Sequence, residues 1–199
     1  MLTPSHPGTM FGDLRPEYRA RLWERSLDVS FALTELLKDP VWSSRIDPAR
    51  IGFVGHSFGG WTGVSLAGGL YDYARQLQHG KASYKDQRIR AFYAMAGGVA
   101  AGFDPVSLQG VTAPMVFDTA KFDTVLAPQA GSSLFAQLIP GAREIVRDVG
   151  HFSYGPSCRP VIGKLLAGQV CTDPDGVVRN DLHVKVSADA TAFFAASLK

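Results

Sequence analysis

Apolar residues recur roughly three or four positions apart along one early stretch of the chain: Trp23, Leu27, Phe31 and Leu33, then Leu36 and Leu37. That is the period of a helix with one buried face. With Pro16 suited to a first helical turn, it predicts a long amphipathic helix over 16–38. A polar turn at Asp47-Pro48 follows. The short run Ile51-Gly52-Phe53-Val54 then reads as a strand buried in a parallel sheet. Gly55 to Gly60 lead into a second helical stretch that continues through Leu66. Residues 70–90 are polar and charged, which predicts a surface excursion and a candidate lid.

Three more apolar runs, 91–96, 114–119 and 144–149, are separated by helix-like or loop segments. Such alternation predicts βα units around a mainly parallel sheet flanked by helices, an α/β architecture in one domain over 1–199. The chain closes on a helix over 180–198, with Asn180 as its cap and Leu182, Val186, Ala190 and Phe194 as its apolar stripe. No internal repeat or low-complexity segment interrupts this pattern.

Composition narrows the function. The 199 residues are 46% hydrophobic with a net charge of only +2, and no run of Lys or Arg concentrates it. That excludes a disordered chain and gives no nucleic-acid footprint. No apolar run approaches the ~18 residues of a membrane span. MLTPSHPGTM shows neither the basic start nor the apolar core of a signal peptide. Cys158 and Cys171 lack zinc-site spacing, so they are either reduced thiols or one disulfide, and spacing alone leaves both open. Asp173-Pro174-Asp175-Gly176 has too few ligands for a calcium loop and reads as an acidic turn, so no metal is expected. Tyr71, Tyr73 and the three tryptophans read as core or rim packing.

The chemistry gathers at Gly55-His56-Ser57-Phe58-Gly59, a G-x-S-x-G pattern. The bare pattern also fits an ordinary Gly/Ser turn. A strand before it, a helix after it and Gly60 following make it a nucleophile elbow. There Ser57 sits on a sharp turn, and glycines on either side let the backbone pass. The turn lifts the hydroxyl clear of the sheet and aims the Phe58 N–H where a carbonyl oxygen would develop charge.

A serine hydroxyl needs an imidazole base, itself oriented by a carboxylate. Of the five histidines, His6 lies in a Pro/Gly loop, His79 in the polar excursion and His183 in the terminal helix. His56 is inside the elbow, with its ring expected to point away from the hydroxyl. His151 directly follows a predicted strand, at the sheet edge where reacting groups gather, and is the expected base. Asp104, Asp118, Asp123 and Asp148 all lie between Ser57 and His151. Asp104-Pro105 reads as a turn or helix start, and Asp148 is too close to His151 along the chain. Asp118 lies within a strand and is the second choice. Asp123, in the loop just past that strand, is the expected acid.

The order Ser57, Asp123, His151 and the stretches around these residues resemble the α/β-hydrolase superfamily. They are most similar to its dienelactone-hydrolase-like branch, close to bacterial relatives of platelet-activating-factor acetylhydrolase. SHPGTMFGD, RIDPARIGFVGHSFGGWTG, APMVFDTAKFDTVLAP, GAREIVRDVGHFSYGP and CTDPDGVVRNDLH carry the resemblance. It implies an esterase with a serine nucleophile in place of dienelactone hydrolase's cysteine, acting on a small-molecule ester without a cofactor. It also favours a Cys158–Cys171 disulfide and an extracytoplasmic location. Such folds normally supply several strands before the elbow, one of them leading into a loop that donates the second oxyanion N–H. Ser57 has only 56 residues before it, so the early strands are expected to be missing and the elbow strand to lie at an open edge. A competing expectation follows: a weak or inactive remnant that acts by binding.

Overall fold

The computed structural model describes residues 1–10, 13–19, 21–72, 81–158 and 169–199; His79 and Tyr73 lie outside them. A small antiparallel pair, β1 (Thr9–Met10) and β2 (Asp13–Leu14), precedes a one-turn α1 (Pro16–Arg19) and the long α2 (Trp23–Lys38). Then come β3 (Ile51–His56), α3 (Phe58–Ala67) and a second small pair, β4 (Tyr71–Asp72) with β5 (Lys81–Ala82). β6 (Ile89–Met95), α4 (Pro105–Gln109), β7 (Met115–Ala120), α5 (Ser132–Leu138), β8 (Arg143–Arg147) and α6 (Arg179–Ser197) follow. The main sheet has the order β3-β6-β7-β8 and every pairing in it is parallel. Parallel neighbours cannot be joined by a tight turn, so helices make the crossovers.

Period-two alternation along the strands divides the core. Phe92, Ala94, Met115 and Phe117 face one side, where they pack with Val29 and Leu33 of α2, Val64 and Leu66 of α3 and Phe135 of α5. Ala91, Tyr93 and Val116 face the other, against Leu182, Val186 and Phe193 of α6. β6 and β7 are covered on both faces and read as largely apolar runs, whereas β3, expected to be buried, and β8 keep exposed positions at the two ends of the strand order. Among the described residues β3 pairs on one side only, and Val54 on it is half exposed.

Two expectations are corrected. Segment 16–38 is not one helix: between α1 and α2 the N–H groups of Arg21 and Glu24 bond back to Tyr18 and Arg21, three residues away, a tighter turn than the α-helix allows. Its apolar stripe is also misplaced. Leu27 and Phe31 are 50% and 68% exposed, while Trp23, Ser26, Val29 and Leu33 are buried. Stepping by four residues advances about 40° around the axis, so Leu27 and Phe31 rotate away from the face that meets α3. At the C-terminal helix, Asn180 is not the cap. α6 begins at Arg179, and no side chain caps the preceding Val178 position. The Arg179 guanidinium holds the start of this helix by donating to Asp173 and to the carbonyls of Pro156 and Val170.

Candidate active site

Ser57 joins β3 to α3 with φ 56° and ψ −118°, a backbone conformation that a residue with a Cβ adopts only under strain. Its N–H bonds the Met95 carbonyl at the end of β6, and its own carbonyl accepts from Trp61 and Gly98, so the turn is held from three directions. The flanking glycines are not equivalent. A Cβ at Gly55 would lie 2.3 Å from the carbonyl carbon of Gly59, and one at Gly60 would lie 2.6 Å from the Cα of Gly97. A Cβ at Gly59 would meet nothing within 4 Å, so the space argument applies to Gly55 and Gly60 but not to Gly59. Gly55→Ala is therefore expected to destabilise the fold by about 3 kcal/mol, the upper end of ordinary overpacking, because only backbone can give way. Gly59→Ala, inside a helix, is expected to raise stability by about 0.5–1 kcal/mol. Thermal melts of the two variants check the contrast.

The structure brings Ser57, His151 and Asp123 together at the C-terminal edge of the sheet, from loops after β3, β8 and β7. Ser57 Oγ lies 3.0 Å from His151 Nε2, and His151 Nδ1 lies 2.7 Å from Asp123 Oδ2. A carboxylate only accepts, so the proton of the neutral ring sits on Nδ1 and the lone pair of Nε2 faces the serine hydroxyl. Asp123 is fixed by its own loop: its Oδ1 accepts the N–H groups of Val125 and Leu126 at 2.8 and 2.7 Å. One oxygen thus serves the backbone and the other the imidazole. Both side chains are almost fully buried, 4% exposed for His151 and 2% for Asp123. The Phe58 N–H is the first of α3, where helix geometry leaves donors without an intrahelical acceptor.

His151 opens a short turn (His151–Tyr154) anchored behind the site. Ser153 Oγ accepts from the Gly150 N–H and donates to Asp173 at 2.6 Å, and Asp173 in turn holds Arg179. Cys158 and Cys171 form a disulfide with their Cα atoms 5.7 Å apart, closing the segment that follows this turn. Of the acidic turn, Asp173 is thus committed to hydrogen bonds with protein groups.

The remaining candidates lie elsewhere. Asp104 caps α4 by accepting the Val106 N–H, and Asp148 pairs with Lys121 in solvent. His6 pairs with Asp28. Asp118 is wholly buried. It receives hydrogen bonds from the Tyr93 and Tyr154 hydroxyls at 2.6 and 2.8 Å, and from Arg147 Nε at 2.7 Å. Burial, reinforced by the Asp118 charge, raises the Tyr154 hydroxyl well above the usual phenol range. Nothing in the linear sequence announced this cluster, because its members come from three strands and a turn. His56 is the other residue that the sequence undervalued: its Nε2 lies 2.8 Å from the His151 carbonyl.

Trp61 and Trp23 are buried, whereas Trp42 is half exposed. Trp61, Tyr71 and Phe103 pack edge-on or tilted around one another at 5.2–5.4 Å. A cavity of about 400 Å³ lies between Thr9, Tyr18, Arg21 and Arg25, and no member of the Ser57, His151, Asp123 group lines it. Arg25 is buried there, with Nε on Thr62 Oγ1 and Nη1 on the Thr9 carbonyl and hydroxyl, and desolvation lowers its guanidinium to about 10.

No protein-family model matches the chain, and no curated protein is similar to it in sequence. Solved structures are similar in shape. A puromycin-hydrolyzing peptidase from Mycobacterium tuberculosis superposes with TM-score 0.56 at 15% identity, over 91% of this chain and 27% of that one. An enol-lactonase from Burkholderia xenovorans gives TM-score 0.49 at 16% identity, over 86% of this chain and 73% of its own. A predicted CIB-like hydrolase from Thermoplasma acidophilum gives 0.44 at 16% identity over 65% of this chain, which spans 52% of that protein's length. Likeness at such identities speaks to the path of the backbone. Taken with the parallel order β3-β6-β7-β8, its helices on both faces and a strained serine between β3 and α3, the likeness to the peptidase shows that this chain has the α/β-hydrolase fold.

Proposed function

We propose that the protein is a serine hydrolase of carboxylic esters that works through an acyl-enzyme. The observation that carries this reading is the continuous hydrogen-bonded line from Ser57 Oγ through His151 to Asp123, at 3.0 and 2.7 Å. In this mechanism the Ser57 oxygen attacks the ester carbonyl while His151 Nε2 takes its proton. The tetrahedral oxyanion rests on the Phe58 N–H. On collapse the C–O bond to the leaving group breaks, and the imidazolium returns its proton to the departing alkoxide. Water, activated by the same imidazole, then attacks the acyl carbonyl and frees Ser57. Asp123 keeps the proton of the ring on Nδ1 and stabilises the imidazolium.

The finer assignment is to the dienelactone-hydrolase-like branch, near the platelet-activating-factor-acetylhydrolase relatives, with small esters as substrates. The Cys158–Cys171 bond is compatible with an oxidising, extracytoplasmic compartment, and no helix among the described residues is long and apolar enough to cross a membrane. A second reading, binding through the sheet edge with little or no catalysis, draws on the one-sided pairing of β3.

A fluorophosphonate probe separates the two. The expected result is one adduct, located by mass spectrometry on the Ser57 peptide, absent from Ser57→Ala, alongside hydrolysis of p-nitrophenyl acetate or butyrate. Folded protein that takes no label and turns over neither ester would overturn the hydrolase reading.

A further inference from the structure

The residue before the nucleophile is a histidine whose ring packs against the ring of the base. The two ring centres lie 4.8 Å apart, tilted by 45°, and His56 Nε2 is 2.8 Å from the backbone carbonyl of His151. A carbonyl only accepts, so this nitrogen carries the proton and donates it. His56 also meets the ring of Tyr154 at 5.8 Å, and the hydroxyl of Tyr154 is tied to the carbonyl and carboxylate of Asp118. His56 therefore bridges the elbow to the separate turn that carries the base, across 95 residues of sequence.

We propose that His56 is a positioning residue for the hydrolysis inferred above: its Nε2–H holds the His151 carbonyl and thereby sets the imidazole of His151 against Ser57 Oγ. The inference rests on that reading of the triad. Three observations support it. Ser57 is held by β3 and β6, whereas His151 sits on a loop after β8, 3.0 Å away at Nε2, and the His56 bond ties these two segments directly. The tie starts one residue from Ser57 and ends on the backbone of His151 itself, leaving few bonds over which error can accumulate. Displacement of a reacting group by about 1 Å costs as much as 10²-fold in rate.

The third support is electrostatic. Burial, with a smaller push from His151, brings His56 down to about 4, so it is neutral while an ester hydrolase operates. The ionisable groups facing it are His151, Asp123 and Tyr154, with Asp118 and Arg147 behind Tyr154. A neutral donor there orients His151 without placing a cation next to the imidazolium that forms during the reaction. An arginine or lysine could donate the same bond but would oppose that charge.

Two substitutions test the idea. His56→Phe keeps a ring of similar volume and removes the donor. His56→Gln keeps an N–H near the position of Nε2 and carries no charge. Ester turnover, fluorophosphonate labelling rate and the downfield proton resonance of His151 Nδ1–H are measured on both and on the parent. His56→Phe is expected to lower kcat and the labelling rate by at least about 10-fold, with KM within roughly two-fold, because the Nε2–H it removes is spent on the His151 carbonyl. Its Nδ1–H resonance is expected to broaden or vanish. His56→Gln is expected to restore the resonance and most of kcat. A labelled, active parent with His56→Phe equal to it in kcat and resonance would overturn the proposal, as would equal losses in the Phe and Gln variants. A parent that takes no label overturns the hydrolase reading instead, and the resonance then still reports whether His56 sets the ring.

Discussion

Asp123→Asn is expected to lower kcat by about 10⁴-fold while the protein folds and melts as before, which is the cost of holding the imidazole in the wrong tautomer. The amide can preserve the local loop, since its oxygen can still accept the N–H groups of Val125 and Leu126 now taken by Oδ1. Its NH₂ group then faces His151 Nδ1 and donates where the carboxylate accepted. The ring is forced to carry its proton on Nε2, and that nitrogen, 3.0 Å from Ser57 Oγ, can no longer take the proton of the serine. Turnover and fluorophosphonate labelling should fall together, with KM nearly unchanged, because the ground-state substrate does not contact Asp123. Retention of activity within ten-fold of the parent, in a protein that melts normally, would mean that another group orients His151.

The second large effect falls on a carboxylate of the same kind in a different setting. Asp118→Ala is expected to destabilise the fold by about 3–5 kcal/mol, the usual result of removing one partner of a buried ion pair. The Arg147 guanidinium, 14% exposed, would lose its buried partner and keep Asp189 at its outer end, the Tyr93 hydroxyl would lose its carboxylate acceptor, and Tyr154 would keep only the backbone carbonyl of residue 118. For a chain of this size the melting temperature should fall by roughly 10 °C. Tyr93→Phe removes one donor and leaves the ion pair, and should cost only about 1 kcal/mol. Thermal or urea unfolding of both variants gives the comparison. A melting temperature for Asp118→Ala within two or three degrees of the parent would show that the ion pair contributes little net stability.

These two aspartates mark how far the sequence could be read. Asp118 and Asp123 are five residues apart on one strand-and-loop segment, and both were candidates for the acid. The preference for Asp123 came from its place just beyond a strand end, where a loop can turn towards its neighbour. What occupies Asp118 was invisible: Tyr93, Arg147 and Tyr154 lie 25, 29 and 36 residues away, and no periodicity connects them. Helix faces failed for a related reason. The spacing of Leu27 and Phe31 is helical, but which stripe turns inward depends on where α3 lies, and that contact is between elements.

Short-range patterns therefore determined the element types: the apolar runs that became β3, β6, β7 and β8, the turn that bends at Gly55 and Ser57, and a terminal helix with Leu182 and Val186 inside. Each depends on sterics and burial within a few residues, so sequence alone carries it. The tertiary structure decided which acid meets which base, that Cys158 pairs with Cys171, that Gly60 rather than Gly59 is short of room, and that His56 reaches the carbonyl of His151. Those are distances between groups that the chain brings together only when separate strands pack into one sheet, and a linear pattern has no term for them.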